Sequence, residues 1–285
     1  MRAARLAAPA KVNLCLAVIG RRPDGYHELV TDMVLLELAD ELLLLPGCAG
    51  LRVSGATAAG VPVSPSQNLA WRGLLAAVGG APAAACLELD KRIPAAAGLG
   101  GGSSDAAAGW RLGRLLAGRD DPPTGSEVAA LVAVGADVPF FAATVAAARV
   151  TGVGEDVAPI AVPATAEVVL AEAPDGLSTA AVFAELRAGE WSTEPDPEQN
   201  DLLAAARRLR PEIDELFRMV TAAGGAPRLS GSGPTVFSLT DDPERADAVV
   251  RRLLRAGVRA SRTRLRREPA SIELLDQQDG QHEEV

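Results

Sequence analysis

Residues 94–118 read PAAAGLGGGSSDAAAGWRLGRLLAG, and the interpretation of the whole chain turns on this stretch. Four glycines, Gly98 and Gly100 to Gly102, lead into Ser103 and Ser104. The apolar period that follows predicts a helix from about Ser103 to Leu116. Glycine lets the backbone curl so that successive N–H groups converge on an anion, and the helix N-terminus adds its dipole. The two serines suit a helix cap and also offer hydroxyls to phosphate or Mg²⁺. The stretch is not GxxxxGK[ST], because serine rather than lysine follows the last glycine. It is not GxGxxG either, because Ser103 stands three residues after Gly100. A flexible glycine linker capped by serine is the plain alternative.

Upstream of this loop, Ala85 to Asp90 reads as a strand running into Lys91, and Leu69 to Val78 as a helix. At the N-terminus, AKVNLCLAVI (10–19) alternates. Val12, Leu14, Leu16 and Val18 share one face of a strand, which leaves Lys11 and Asn13 together on the other. A RRPDG turn leads to Tyr26-His27 and a second apolar run to about Leu45. Downstream, 126–134 forms a short helix, followed by the loop Gly135-Ala136-Asp137-Val138-Pro139. The texture changes near residue 157: a strand at 166–171, helices near 179–188, 199–209 and 211–223, a strand at 235–239, a helix at 243–256 and a strand at 258–265. The expected division is a lobe of residues 1–157, a second of 158–268, and an acidic mobile tail over 269–285.

The 285 residues include 28 Lys+Arg and 37 Asp+Glu, a net charge of −9, which argues against a protein that coats nucleic acid or anionic membrane. Cys15, Cys48 and Cys86 are odd in number and widely spaced, so neither a disulfide nor a zinc ribbon is expected, and the cytoplasm is the natural compartment. The most apolar segment, 129–150, carries Asp137 and Pro139 at its centre, which disfavours a membrane span. The eight arginines between 251 and 267 read as a solvated face. Against only two lysines (Lys11, Lys91) and one tyrosine (Tyr26), each survivor is informative, because arginine does not imitate a compact ammonium.

Asp137 stands in a loop defined by Pro139, which is expected to force Val138 extended, and suits a base for a hydroxyl proton in phosphoryl transfer, or a simple turn cap. Lys11 offers it a point charge, or is a snorkelling surface lysine. Tyr26-His27 pairs a stacking ring with a donor and acceptor, as a nucleobase would require. RLSGSGP (228–234) is a second glycine loop, equally readable as a phosphate wall or a tight connection.

Taken in order, PAKVNLCL, RRPDGYHEL, KRIPAAAGLGGGSSDAAA, GADVPFF, TGVGE and RLSGSGPTVF closely resemble the GHMP kinases. The PAKVNL, DGYH and GADVP segments resemble the branch that phosphorylates the 2-hydroxyl of a CDP-linked methylerythritol in non-mevalonate isoprenoid synthesis. The resemblance implies a two-lobed α+β fold: an N-terminal nucleotide-binding lobe with βαβ units and a C-terminal ferredoxin-like α/β sandwich. It implies that Pro94, Ala95, Ala96, Ala97, Gly98, Leu99, Gly100, Gly101, Gly102, Ser103 and Ser104 hold ATP, with Mg²⁺ helped by Ser103 or Ser104. Asn68 and Lys91 would lie near the nucleotide, Asp137 would be the base and Lys11 its partner. Tyr26 would stack on the cytosine, Phe183 would cover its other face and His27 would hydrogen-bond to it. Asn13 would touch the substrate, and Gly231, Ser232 and Gly233 would close the site. The implied partners are ATP and a small cytidyl substrate, with no nucleic acid and no membrane, for a monomer or homodimer. Met33, where the family usually has an aromatic, and AATVAAA (142–148), where it is usually glycine-rich, are departures. The rival readings are another GHMP kinase acting on homoserine, mevalonate or a sugar, and a non-catalytic nucleotide-binding relative; the DGYH segment and the retained Lys11, Asp137 and glycine loop argue against them.

Overall fold

The computed structural model describes residues 2–80, 85–119, 121, 123–192, 196 and 198–275. The first part builds one sheet from β1 (Ala4–Arg21), β2 (His27–Pro46), β3 (Gly50–Ser54), β4 (Ala85–Asp90), β5 (Ala147–Gly152) and β6 (Asp156–Pro159). β1 and β2 form a long antiparallel hairpin. β2 then divides, its first half pairing with β5 and its second with β4. β3 and β4 are parallel and joined through helix α1 (Leu69–Val78), which makes the expected βαβ unit.

Helix α2 (Gly101–Leu116) lies against α1 and β1. α1 and α2 approach so closely that a Cβ on Gly73 would lie 1.9 Å from the Ala106 carbonyl oxygen, and one on Gly109 would lie 2.0 Å from that of Ala70. Such backbone contact fixes where the N-terminus of α2 points. Helices α3 (Gly125–Val134) and α4 (Val138–Ala142) complete this lobe, with Phe140 and Val138 packed on Trp110.

The second sheet takes β7 (Glu167–Glu172), β8 (Arg228–Leu229), β9 (Val236–Thr240) and β10 (Arg259–Arg264) in the antiparallel order β10-β7-β9-β8. Helices α5 (Thr179–Glu185), α6 (Leu203–Leu209), α7 (Glu212–Ala222) and α8 (Pro243–Arg255) cover it. The β-helix-β-β-helix-β succession is the ferredoxin-like sandwich. Val12 and Leu36 of the first sheet meet Leu170 and Phe237 of the second in one apolar cluster, so the lobes share a core. The chain passes between the sheets over residues 160–166.

Two expectations, on the tail and on the cysteines, need correction. The acidic tail does not leave the fold at residue 269: Ala270 is buried, and β11 (Glu273–Leu274) pairs with Ala4 and Arg5 on the edge of β1. An open strand edge beside apolar Ala270 and Ile272 outweighs fraying there; residues 276–285, with His282, lie outside the described residues. Cys48 and Cys86 are disulfide-bonded, with Cα atoms 5.3 Å apart. Pairing of Leu45 with Cys86 in β2 and β4 brings the turn after β2 over β4, which their separation of 38 residues conceals. Residues 129–150 break into the end of α3, a turn, α4 and β5, and among the described residues no helix is long and apolar enough to cross a membrane. Seven of the eight arginines of 251–267 are exposed, as a solvated face requires, and several also brace the fold: Arg262 and Arg264 pair with Glu167, and Arg259 donates to the Ala173 and Pro174 carbonyls.

Candidate active site

A cavity of about 570 Å³ opens between the lobes. Its centre is set by β1. Bulges between Pro9 and Lys11 and between Asn13 and Cys15 bracket the Lys11–Asn13 pair, and both side chains turn into the cleft. Lys11 Nζ donates to Asn13 Oδ1 at 2.6 Å and lies 3.4 Å from Asp137 Oδ2. The Asn13 amide is itself oriented, since its Nδ2 donates to Thr31 Oγ1 at 2.8 Å and that hydroxyl donates to the Cys15 carbonyl at 2.6 Å. The Lys11 side chain is 4% exposed and that of Asp137 is 29% exposed, so the carboxylate is the member of the pair open to a substrate.

Asp137 sits at the N-cap of α4 and uses no side-chain oxygen to cap it. The loop expected from GADVP is therefore present, but Val138 is helical rather than extended and opens α4, because Pro139 is well placed in a first turn. Glu155 of TGVGE accepts from the Val153 N–H at 2.6 Å and from Arg22 at 3.5 Å, tying the β5–β6 turn to the tip of the β1–β2 hairpin.

The glycine loop lies opposite. The Lys11 N–H donates to the Leu99 carbonyl at 2.9 Å, which fixes the loop against β1. At Gly98 φ is +78°, and a Cβ there would lie 2.4 Å from the Ser230 oxygen, so the two glycine loops touch backbone to backbone. α2 begins at Gly101, two residues earlier than the sequence suggests. Its N-cap is Gly100 with φ 71°, and no serine caps it.

Pro94, Ala95, Ala96, Ala97, Gly98, Gly100, Gly101, Gly102 and Ser103 line the cavity together with Lys11, Asn13 and Asp137. Leu99 does not: it is buried in the shared core and contributes its carbonyl. Ser104 turns away, and its buried hydroxyl has no hydrogen-bond partner, which leaves Ser103 as the cleft-facing serine. Asn68 is on the wall as the N-cap of α1, accepting from the Trp71 N–H at 3.3 Å and donating to the Pro62 carbonyl at 2.8 Å.

Lys91 borders the cavity, but its ammonium is held by two carboxylates, Asp40 and, at 2.7 Å, Asp105. Asp40 also accepts from the Arg92 and Ile93 N–H groups at 2.5 and 2.8 Å. The triad thus clamps residue 91, where the chain enters the glycine loop, to residue 105, where it leaves. Burial would lower the Lys91 pKa, but Asp105 and Asp40 outweigh it and hold the pKa above the ordinary value. Burial pushes the Asp105 carboxyl up to about 7, with Lys91 opposing and Asp40 adding to the rise. Two carboxylates share one ammonium, and the second is costly to ionise. No feature of the sequence separated Asp40 and Asp105 from other acids.

At the far end, Phe183, Leu29, Leu16 and Met33 line the cavity. The His27 ring is stacked on Phe183, with centroids 5.2 Å apart, and Trp191 meets it edge-on at 5.8 Å. Burial, and secondarily the Arg21 guanidinium, hold His27 below the usual imidazole pKa. Tyr26 is 63% exposed at the hairpin tip, and neither it nor His27 is on the cavity wall. Gly231 and Ser232 are on the wall, whereas Gly233 stands behind them.

Comparison with known proteins agrees with this geometry. Residues 68–159 match the GHMP kinases N terminal domain and residues 185–259 the GHMP kinases C terminal family. A 4-diphosphocytidyl-2-C-methyl-D-erythritol kinase of Nocardia farcinica is 42% identical over 289 residues, covering 89% of this chain and 90% of that protein. One from Dinoroseobacter shibae is 39% identical over 270 residues, covering 86% and 88%. A crystal structure of 4-(cytidine 5'-diphospho)-2C-methyl-D-erythritol kinase superposes with a TM-score of 0.74 at 35% identity, covering 92% of this chain and 98% of that one. A homoserine kinase from Cytophaga hutchinsonii, at 16% identity and a TM-score of 0.68, shares the fold.

Proposed function

The chain belongs to the GHMP kinases, in the 4-diphosphocytidyl-2-C-methyl-D-erythritol kinase family, and from that premise we infer that it transfers the γ-phosphoryl group of ATP to the 2-hydroxyl of 4-diphosphocytidyl-2-C-methyl-D-erythritol, a step of non-mevalonate isoprenoid precursor synthesis. The observation that carries the reading is one continuous cavity. It joins the glycine loop, the Lys11–Asp137 pair and the Phe183 wall.

In the proposed reaction the glycine-loop N–H groups and the N-terminus of α2 cradle the ATP phosphates. The substrate hydroxyl lies beside Asp137, its oxygen attacks the γ-phosphorus, the bond from that phosphorus to the β-bridging oxygen breaks, and ADP leaves. Asp137 takes the hydroxyl proton. Lys11, held by Asn13, keeps a positive charge where negative charge develops on the transferring group. Phe183 and Tyr26 would enclose the cytosine, with His27 hydrogen-bonding to its edge as a neutral ring.

The donor set suits Mg²⁺ carried on the nucleotide. Among the described residues no group of three or more His, Cys, Asp or Glu could cage a metal. Ser103 faces the cavity, and Asp105 Oδ1 is buried on its wall without a hydrogen-bond partner. Ser103 would hold the ion together with triphosphate oxygens, and the bound ion would neutralise charge between the β- and γ-phosphates. The demand for ATP supports the cytoplasm as the place of reaction.

A substrate panel tests the reading. With ATP and Mg²⁺, ADP release is expected with the cytidyl substrate and absent with homoserine, mevalonate or a hexose. Turnover of one of those small alcohols in its place would overturn it.

A further inference from the structure

We infer that Asn200 is a positioning residue for this phosphoryl transfer, acting through the second glycine loop on Lys11. The inference rests on the kinase reading above and adds to it a residue outside the cavity wall.

Asn200 joins two structures that the reaction must hold in register. Its backbone extends β1: Leu16 and Asn200 form a parallel bridge, the Leu16 N–H donates to the Gln199 carbonyl at 2.9 Å, and the Asp201 N–H returns to the Leu16 carbonyl at 2.9 Å. Its side chain reaches the other way. Nδ2 donates to the Leu229 carbonyl at 3.0 Å and the Gly231 carbonyl at 2.8 Å, while Oδ1 accepts from the Leu202 N–H at 3.0 Å. The amide therefore has one orientation, and both of its donors face carbonyls of the 229–231 turn.

That turn presses on the reacting centre. A Cβ on Gly231 would lie 3.0 Å from Lys11 Nζ and 3.1 Å from Asn13 Oδ1. The next residues on either side extend the contact. Ser230 Oγ donates to the Gly98 carbonyl of the phosphate loop at 3.0 Å, and the Ser232 and Thr179 hydroxyls lie 2.9 Å apart at the start of α5, which carries Phe183. Asn200 is thus one hydrogen bond from the backbone that packs against the Lys11 ammonium, and it touches neither the ammonium nor the cavity. Phosphoryl transfer depends on alignment to within fractions of an ångström, so loosening this turn lowers the rate more than it weakens binding.

The test uses full-length Asn200→Asp, in which acceptors replace both donors facing the two carbonyls, and Asn200→Ala, which removes the donors without adding charge in case the first fails to fold. Steady-state kinetics with ATP and the cytidyl substrate should show kcat lowered about 10- to 100-fold, with both KM values nearly unchanged. Hydrogen exchange should speed by about tenfold at the Ser230, Gly233 and Thr235 amides, and not at α2. An unchanged kcat in a folded variant, or faster exchange spread evenly over both lobes, would overturn the inference. A wild type without activity on the cytidyl substrate would instead overturn the kinase reading, and unaltered exchange at 230–235 would still refute the anchoring role.

Discussion

Replacing Lys91 by methionine should reveal how the phosphate loop is held. The substitution keeps most of the side-chain length and removes the one ammonium shared by Asp40 and Asp105, whose side chains are 0% and 5% exposed. Breaking a buried ion pair from one side costs about 3–5 kcal/mol, because the partner charges stay behind. The cost should depend on pH with a definite sign. The Asp105 pKa is already raised to about 7 in the fold, so the native protein binds a proton that the unfolded chain releases near 4, and stability falls as pH rises through 7. Wild-type stability should therefore fall between pH 6 and pH 8, and fall more steeply in Lys91→Met, where loss of the ammonium makes the Asp105 carboxyl still harder to ionise. Urea unfolding of both proteins at the two pH values measures this, and a second substitution, Asp105→Asn, should recover part of the loss. The KM for ATP should rise as well, since the triad joins the two ends of the loop. A loss below about 1 kcal/mol at both pH values would refute the triad as a clamp.

Other outcomes follow from the base end of the cavity. Phe183→Ala should raise the KM for the cytidyl substrate by the worth of one stacking contact, about 1–3 kcal/mol, and leave that for ATP unchanged; steady-state kinetics with each substrate varied checks this. Tyr26→Ala should act in the same direction, because the exposed ring is free to close over a bound base, and an unaffected KM would remove Tyr26 from recognition. The lowered His27 pKa keeps its ring neutral below the usual value of about 6.5. The cytidyl KM should therefore stay flat from pH 8 down to about 6.5 and rise only below it, and His27→Gln should abolish that rise.

Much of the site was legible because it lies on local, periodic elements. Alternation put Lys11 and Asn13 on one strand face, and the observed limits of α1 and β4, Leu69–Val78 and Ala85–Asp90, are those the pattern suggests. What escaped depends on contacts between distant segments. Lys91 meets Asp40 across 51 residues, and Asn200 meets Gly231 across 31. In one dimension a buried acid in an apolar strand, or a lone asparagine before a helix, looks like any other. The β5–β6 hairpin was hidden because β5 opens on two alanines that continue an alanine-rich run, leaving only Val150 and Thr151 as strand formers, and its place is fixed by pairing with β2. α2 starts at Gly101 rather than at the serines because Gly100, at φ 71°, turns the chain into the helix without a side-chain cap.

The central claim is that Asp137 accepts the proton of the 2-hydroxyl while the glycine loop presents ATP. Purified protein and Asp137→Asn should be incubated with ATP, Mg²⁺ and 4-diphosphocytidyl-2-C-methyl-D-erythritol, with ADP release timed and the phosphorylated position read by ³¹P NMR. The account predicts a 2-phosphate product with the wild type. With the variant it predicts a rate lower by about 10²- to 10⁴-fold, with ATP affinity retained. An undiminished rate in Asp137→Asn, or a phosphate on another hydroxyl, would contradict it.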